Sequence, residues 1–168
     1  DNPTEGAYTR IINKARDYIY ITTPYLVLDQ TMRNDLISAA GSGVDVRIIV
    51  PGIPDKKMIN EATKSNYLTL IESGVKIYEY TPGFIHAKSF VVDDTEAVVG
   101  TINLDYRSLY HHFECGAYLY KSECIGAIEA DFQETLRKCR RVTHQSIKKE
   151  KLSRRLTGFV LKALAPLL

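Results

Sequence analysis

Gly83-Phe84-Ile85-His86-Ala87-Lys88-Ser89-Phe90-Val91-Val92-Asp93 is answered a few residues later by a second short run, Gly100-Thr101-Ile102-Asn103. The first run is rich in β-branched and aromatic residues and predicts a strand. Successive strand side chains alternate faces, so His86 and Lys88 project to the same side, roughly 6 to 7 Å apart. An imidazole and an ammonium so placed can grip one anion. Asp93 has odd spacing from both and leans the other way on a regular strand, which suits a structural partner better than a group touching a ligand. Gly100 permits a tight turn, and Thr101 and Asn103 supply neutral hydrogen-bond donors. Together these residues predict an anion pocket containing a nucleophile.

Outward from this stretch the chain alternates. Asn2, Pro3 and Glu5 form an N-cap, N1 and N3 set, and Ala7, Tyr8, Ile11, Ile12 and Ala15 recur at helical spacing, predicting a helix over 3–16. Tyr18 to Thr22 reads as a buried strand ending at Thr23-Pro24-Tyr25. Asp29 caps a second helix that stops at Gly41 and Gly43, and Val44 to Val50 is the next strand. After the Pro51 to Asp55 loop, one long helix is expected to run to Ser73, followed by a strand from Val75 to Tyr80. Three helix-then-strand units predict an α/β fold: a mixed, mostly parallel β-sheet flanked by helices. Hairpin-like additions follow, with a turn at Asp93 to Thr95, a short strand at Ala97 to Val99, and another from His112 to Tyr120.

In that last strand Glu114, Gly116 and Tyr118 share one face and Phe113, Cys115, Ala117 and Leu119 the other, more apolar one. A carboxylate in such a strand is costly without a partner, and Arg107 or a backbone amide could supply it. His111 and His112 are adjacent and point apart on a strand, which argues against joint metal ligation, although His112 can line a pocket entrance. Residues 122–141 are expected to be helical. The segment 143–168 reads as a separate basic amphipathic helix, packed on the domain or on a partner, after a body spanning 1–142.

With 168 residues, 45% of them hydrophobic, the chain can bury one real core. The three scattered cysteines include no C-x-x-C pair, so neither a disulfide framework nor a zinc site is suggested. Residues 1–136 hold 12 Lys/Arg and 19 Asp/Glu, net −7, whereas 137–168 hold 10 and 1, net +9. A basic tail on an acidic body favours anionic surfaces. The acidic body and unclustered aromatics disfavour nucleic acid.

The pattern His86-x-Lys88, then Asp93, then Gly100-Thr101-x-Asn103 resembles the signature of the phospholipase D superfamily. Phe84 to Lys88, Val99 to Ser108, Thr23-Pro24-Tyr25 and the Gly43 to Val50 run narrow the resemblance to the C-terminal catalytic half of bacterial cardiolipin synthases. The resemblance implies a phospholipase D-like half domain that needs no cofactor or metal. His86 would be the nucleophile, with Lys88, Thr101 and Asn103 on the phosphate and Asp93 completing the motif. Glu114 matches the acidic residue that hydrogen-bonds the signature histidine in that family. The implied reaction is phosphatidyl transfer between two phosphatidylglycerol molecules, or a related anionic phospholipid, through a phosphohistidine.

One motif supplies only half of this chemistry, because a phosphorylated histidine cannot protonate the leaving alcohol. The resemblance therefore implies a partner: a second copy of the domain, or the N-terminal motif-bearing half of one longer polypeptide, which a chain beginning at Asp1 favours. Placement at the bacterial cell membrane, through segments not present in this chain, goes with it. Two other readings remain open: a homodimeric phosphodiesterase or endonuclease of the same superfamily, and an inactive anionic-lipid-binding module.

Overall fold

The computed structural model describes residues 3–148. The Asn2 cap and residues 149–168 of the expected basic helix lie outside them. The elements run α1 (Pro3–Lys14), β1 (Tyr18–Thr22), β2 (Leu26–Val27), α2 (Gln30–Gly41), β3 (Asp45–Pro51), α3 (Lys57–Ser65), α4 (Tyr67–Glu72), β4 (Lys76–Tyr80), β5 (Ser89–Val92), β6 (Glu96–Gly100), β7 (Leu104–Asp105), a π-helical turn (Arg107–His111), β8 (Gly116–Tyr120), α5 (Ile125–Leu136), β9 (Cys139–Arg141) and α6 (His144–Lys148).

Seven strands form one mixed sheet in the order β8-β6-β5-β1-β3-β4-β9, as the alternation of helices and strands predicts. Its centre, β1, β3 and β4, is parallel. The strands added outside this centre all pair antiparallel, so the parallel share is smaller than expected. Each parallel neighbour in the centre follows a helical crossover, β5 and β6 are joined by a tight turn, and the other antiparallel pairs join strands separated by longer stretches of chain.

Alternation along the strands sorts the core. Ile19, Ile21, Val46, Ile48, Ile77 and Phe90 pack under α1, α2 and α4. On the opposite face Tyr20, Ile49, Val91 and Ala97 meet Ile125 and Phe132 of α5. The two-stranded sheet of β2 and β7 then ties the Thr23-Pro24-Tyr25 turn to the chain after Asn103. The Thr23 hydroxyl donates to the Tyr25 carbonyl and accepts the Leu104 N–H.

Four expectations change. The helix expected to run to Ser73 breaks at Asn66, a buried residue whose side-chain amide donates to the Leu26 carbonyl at 3.1 Å. The break lets Thr63 of α3 accept from Leu26 while α4 turns Tyr67 and Leu70 into the core. The helix expected over 122–141 stops at Leu136, and Cys139–Arg141 instead pairs with β4. That pairing covers a sheet edge and brings Arg140 to buried Glu79 at 2.6 Å. His86 and Lys88 sit in irregular chain just before β5, not within the ladder. Finally, β8 starts only at Gly116 and is an exposed edge strand, so Phe113 is solvent-exposed and Glu114 precedes the strand.

At the chain's far end, Thr143 and Ser146 bond reciprocally to start α6, and Ile147 packs against the core.

Candidate active site

The segment bearing His86 leads into β5 at the end of the sheet where β6 finishes. Gly100 N–H donates to the Lys88 carbonyl at 3.3 Å, holding the two runs side by side. One cavity of about 790 Å³ opens there, walled by His86, Lys88, Thr101, Asn103 and Glu114. The wall is completed by Ala127, Ile128 and Asp131 of α5 and by Cys124, which precedes that helix. The spacing argument anticipated this convergence of His86, Lys88, Thr101 and Asn103, although the strand supporting it is shorter than expected.

The His86 ring is framed by aromatic side chains. Phe84 lies with its ring centroid 5.3 Å away, and Tyr25 meets it edge-on at 6.2 Å. The histidine is nonetheless exposed toward the cavity. Partial burial, and next the Lys88 ammonium, push its pKa below the ordinary value. This shift favours the neutral imidazole, the form with a nucleophilic lone pair. Burial also lowers the Lys88 pKa, opposed by the charges of Glu114 and Asp105. Its Nζ donates to the His86 carbonyl at 2.7 Å, which folds the ammonium back toward the histidine.

Glu114 is half-buried and accepts two hydroxyls. Ser108 Oγ donates to Oε1 at 3.0 Å, and Thr101 Oγ1 donates to Oε2 in a short bond. His112 Nδ1 stands 3.8 Å from Oε1. Among the described residues, neither the His86 imidazole nor Arg107 is bonded to this carboxylate. Nor does a backbone amide donate to it among the described residues; its hydrogen-bond donors are the two side-chain hydroxyls.

Ser108 was not singled out from the sequence, yet it joins the site together. Its hydroxyl accepts from Asn103 Nδ2 at 3.0 Å and passes its own proton toward Glu114. Its N–H donates to buried Asp105 at 2.7 Å. Asp105 at i and Ser108 at i+3 form a helix-capping pattern that could have been read from the chain. The Asn103 amide is held through Nδ2, while its buried Oδ1 has no hydrogen-bond partner among the described residues.

Asp93 lies away from the cavity. Its carboxylate accepts the backbone N–H groups of Arg16, Asp17 and Tyr18 at 2.7 to 3.0 Å. It thus anchors the start of β1, the structural part that its odd spacing suggested. Among the described residues, no group of three or more His, Cys, Asp or Glu side chains could hold a metal ion. None of the described helices is long and apolar enough to cross a membrane.

The family described as "Cardiolipin synthase, PLD-like domain" matches residues 8–136. The chain belongs to this family.

Relatives of this PLD-like domain include a cardiolipin synthase from Geobacillus sp., 40% identical over 96% of the chain and 32% of that protein. A second, from Clostridium perfringens, is 38% identical over 98% of the chain and 34% of its length. An uncharacterized protein of Streptococcus mutans is 58% identical over 98% of the chain and 36% of that protein. The domain therefore spans about a third of the length of the curated relatives it matches. Among solved structures, the phospholipase D family member Nuc of Salmonella typhimurium superposes with a TM-score of 0.73. It is 16% identical, with 84% of this chain and 91% of Nuc covered. Phosphatidylserine synthase of Haemophilus influenzae gives 0.74 at 20% identity, covering 98% of this chain and 42% of that one. At these identities the superpositions establish the fold alone.

Proposed function

We propose that this domain supplies one of the two His-x-Lys motifs of a membrane-associated phosphatidyltransferase that makes cardiolipin from two phosphatidylglycerol molecules. The observation that supports the reading is the meeting of His86, Lys88, Thr101 and Asn103 around one cavity, in a chain of the cardiolipin synthase family.

A neutral His86 nitrogen attacks the phosphorus of the first lipid. The P–N bond forms as the phosphorus–oxygen bond to the headgroup glycerol breaks, and that oxygen takes a proton from an acid on the second motif. The headgroup hydroxyl of the second lipid then gives its proton to the same group and attacks phosphorus. The P–N bond breaks, and its electron pair returns to the imidazole. Splitting one displacement into two is nucleophilic catalysis, with ping-pong kinetics as its mark. Lys88 and the second Nδ2 hydrogen of Asn103 stabilise the non-bridging oxygens as charge builds. Glu114, through Ser108, keeps the Asn103 amide in place, and it also holds the Thr101 hydroxyl.

The second motif comes from another part of a longer polypeptide or from a second copy of this domain. The size of the curated relatives supports the first arrangement. The test is a polypeptide carrying both motifs, incubated with phosphatidylglycerol labelled in its phosphate and quenched in alkali, where phosphohistidine survives. Label on His86, with cardiolipin and free glycerol as products, is the expected result. Label elsewhere, or cardiolipin formed undiminished by H86A, overturns the proposal. Diester hydrolysis without transfer would instead mark a dimeric phosphodiesterase.

A further inference from the structure

The loop between β3 and α3 lies against Tyr25, which flanks the nucleophile, and it is pinned at two points. Gly52 N–H donates to the Tyr80 carbonyl at 2.8 Å, and Tyr25 Oη donates to Asp55 Oδ2 at 2.6 Å. Tyr25 is the same ring whose edge meets His86. The next residue is Lys56, whose Nζ lies 5.6 Å from the Tyr25 ring centroid. The Lys56 ammonium is thus one aromatic ring removed from the imidazole, and Phe84 lines the same recess as Tyr25, Asp55 and Lys56.

The neighbouring carboxylate is turned to other donors. Asp55 accepts the Tyr25 hydroxyl on one oxygen and the Lys56 backbone N–H on the other. No carboxylate pairs with the Lys56 ammonium among the described residues. Its charge is felt at the active site, where it lowers the His86 pKa after burial and Lys88 and against the larger raising effect of Asp55. An exposed cation held beside a nucleophile, and not folded onto that nucleophile as Lys88 is, is placed for an anion other than the one under attack.

We infer that Lys56 forms a second phosphodiester subsite, which binds the acceptor lipid's own phosphate while that lipid's headgroup hydroxyl reaches the phosphorus on His86. This rests on the transfer reading above. In that reaction the attacking oxygen and the acceptor's phosphate are separated only by a three-carbon bridge, so two phosphates must sit close together at one mouth. Lys88 serves the phosphorus on His86. The acceptor phosphate needs its own counter-charge, without which two anions repel. Water needs no such subsite. Lys56 therefore governs the partition of the phosphatidyl-enzyme between transfer and hydrolysis.

The experiment uses the two-motif polypeptide on vesicles of phosphatidylglycerol diluted in phosphatidylcholine, with cardiolipin and phosphatidic acid measured together. Lys56→Gln is expected to lower the cardiolipin to phosphatidic acid ratio by about 5- to 10-fold and to raise the apparent KM for acceptor, while Lys56→Arg restores both. Lys57→Gln, which removes the adjacent exposed charge, leaves the ratio unchanged. An unchanged ratio in Lys56→Gln overturns the inference. So does an equal fall in both products with weaker vesicle binding, which would make Lys56 a contact for bystander lipid. If the unmodified protein makes no cardiolipin, the transfer reading itself has failed, and that result is seen before any variant is compared.

Discussion

The carboxylate of Asp93 accepts the backbone N–H of Tyr18 at 2.8 Å, on the far side of β5 from the cavity that His86 lines. Two further N–H groups, from Arg16 and Asp17, complete the anchor. Asp93 itself has φ of 50°, a left-handed conformation that Asp and Asn tolerate better than Ala. Asp93→Ala loses three charge-assisted bonds and adds backbone strain, for an expected cost of about 2 to 3 kcal/mol. Asp93→Asn keeps one acceptor oxygen and the backbone preference, and costs roughly half as much. Denaturant midpoints check the order. A fully stable Asp93→Ala protein without activity would contradict the anchoring role.

His86 gives a pH prediction with two opposite signs. Burial and then the Lys88 charge lower its pKa, whereas Asp55 raises it. Removing Lys88 makes the imidazolium less costly, so Lys88→Met moves the titration midpoint upward. Removing the Asp55 charge does the reverse, so Asp55→Asn moves it downward. Following the His86 ring protons by NMR against pH checks both shifts. In the unmodified enzyme the acid limb of kcat/KM falls below the ordinary histidine value, because protonation there removes the nucleophile.

The chain from Asn103 through Ser108 to Glu114 predicts unequal but overlapping losses. Asn103→Ala removes a donor to the developing charge and should lower kcat by about 10²-fold. Ser108 does not line the cavity and acts through the amide it holds, so Ser108→Ala is expected to cost about 10-fold, mostly in kcat. Because both variants disable one unit, the double variant should be no worse than Asn103→Ala alone. Fully additive losses would separate Ser108 from the amide.

How far the sequence reveals this molecule depends on what signal each part carries. The strands around Ile19, Ile48 and Ile77 are β-branched runs between helix caps, and such runs declare themselves locally. The site residues are legible because their spacing is itself the motif. What stays hidden depends on distant partners. Cys139–Arg141 continues a helical pattern until the open edge of β4 and the buried Glu79 claim it. The break at Asn66 is visible only once the Leu26 carbonyl is seen to need its amide. Phe113 reads as an inward strand residue, but it lies before β8 begins, where the chain bends to bring Glu114 onto Thr101.

That bend depends on the absence of a side chain at Gly100. A Cβ there would lie 2.2 Å from the Cys115 carbonyl oxygen and 2.6 Å from Gly116 Cα, both backbone atoms that cannot swing aside. Gly100→Ala therefore drives the start of β8 away from β6. The bonds at risk are those next to the site: Thr101 N–H to the Cys115 carbonyl at 2.8 Å and Cys115 N–H to Thr101 Oγ1 at 2.9 Å. Overpacking of this kind costs about 1 to 3 kcal/mol, and displacement of Glu114 should lower turnover even where the variant remains folded. Gly126 on α5 is the contrast, since an added Cβ meets nothing within 4 Å. Gly126→Ala should instead stabilise the domain by about 0.5 to 1 kcal/mol, by the helix preference for alanine. Thermal melts of the two variants, with activity measured well below both transitions, check this pair. A harmless Gly100→Ala would mean that the β6 to β8 contact is not what positions Glu114.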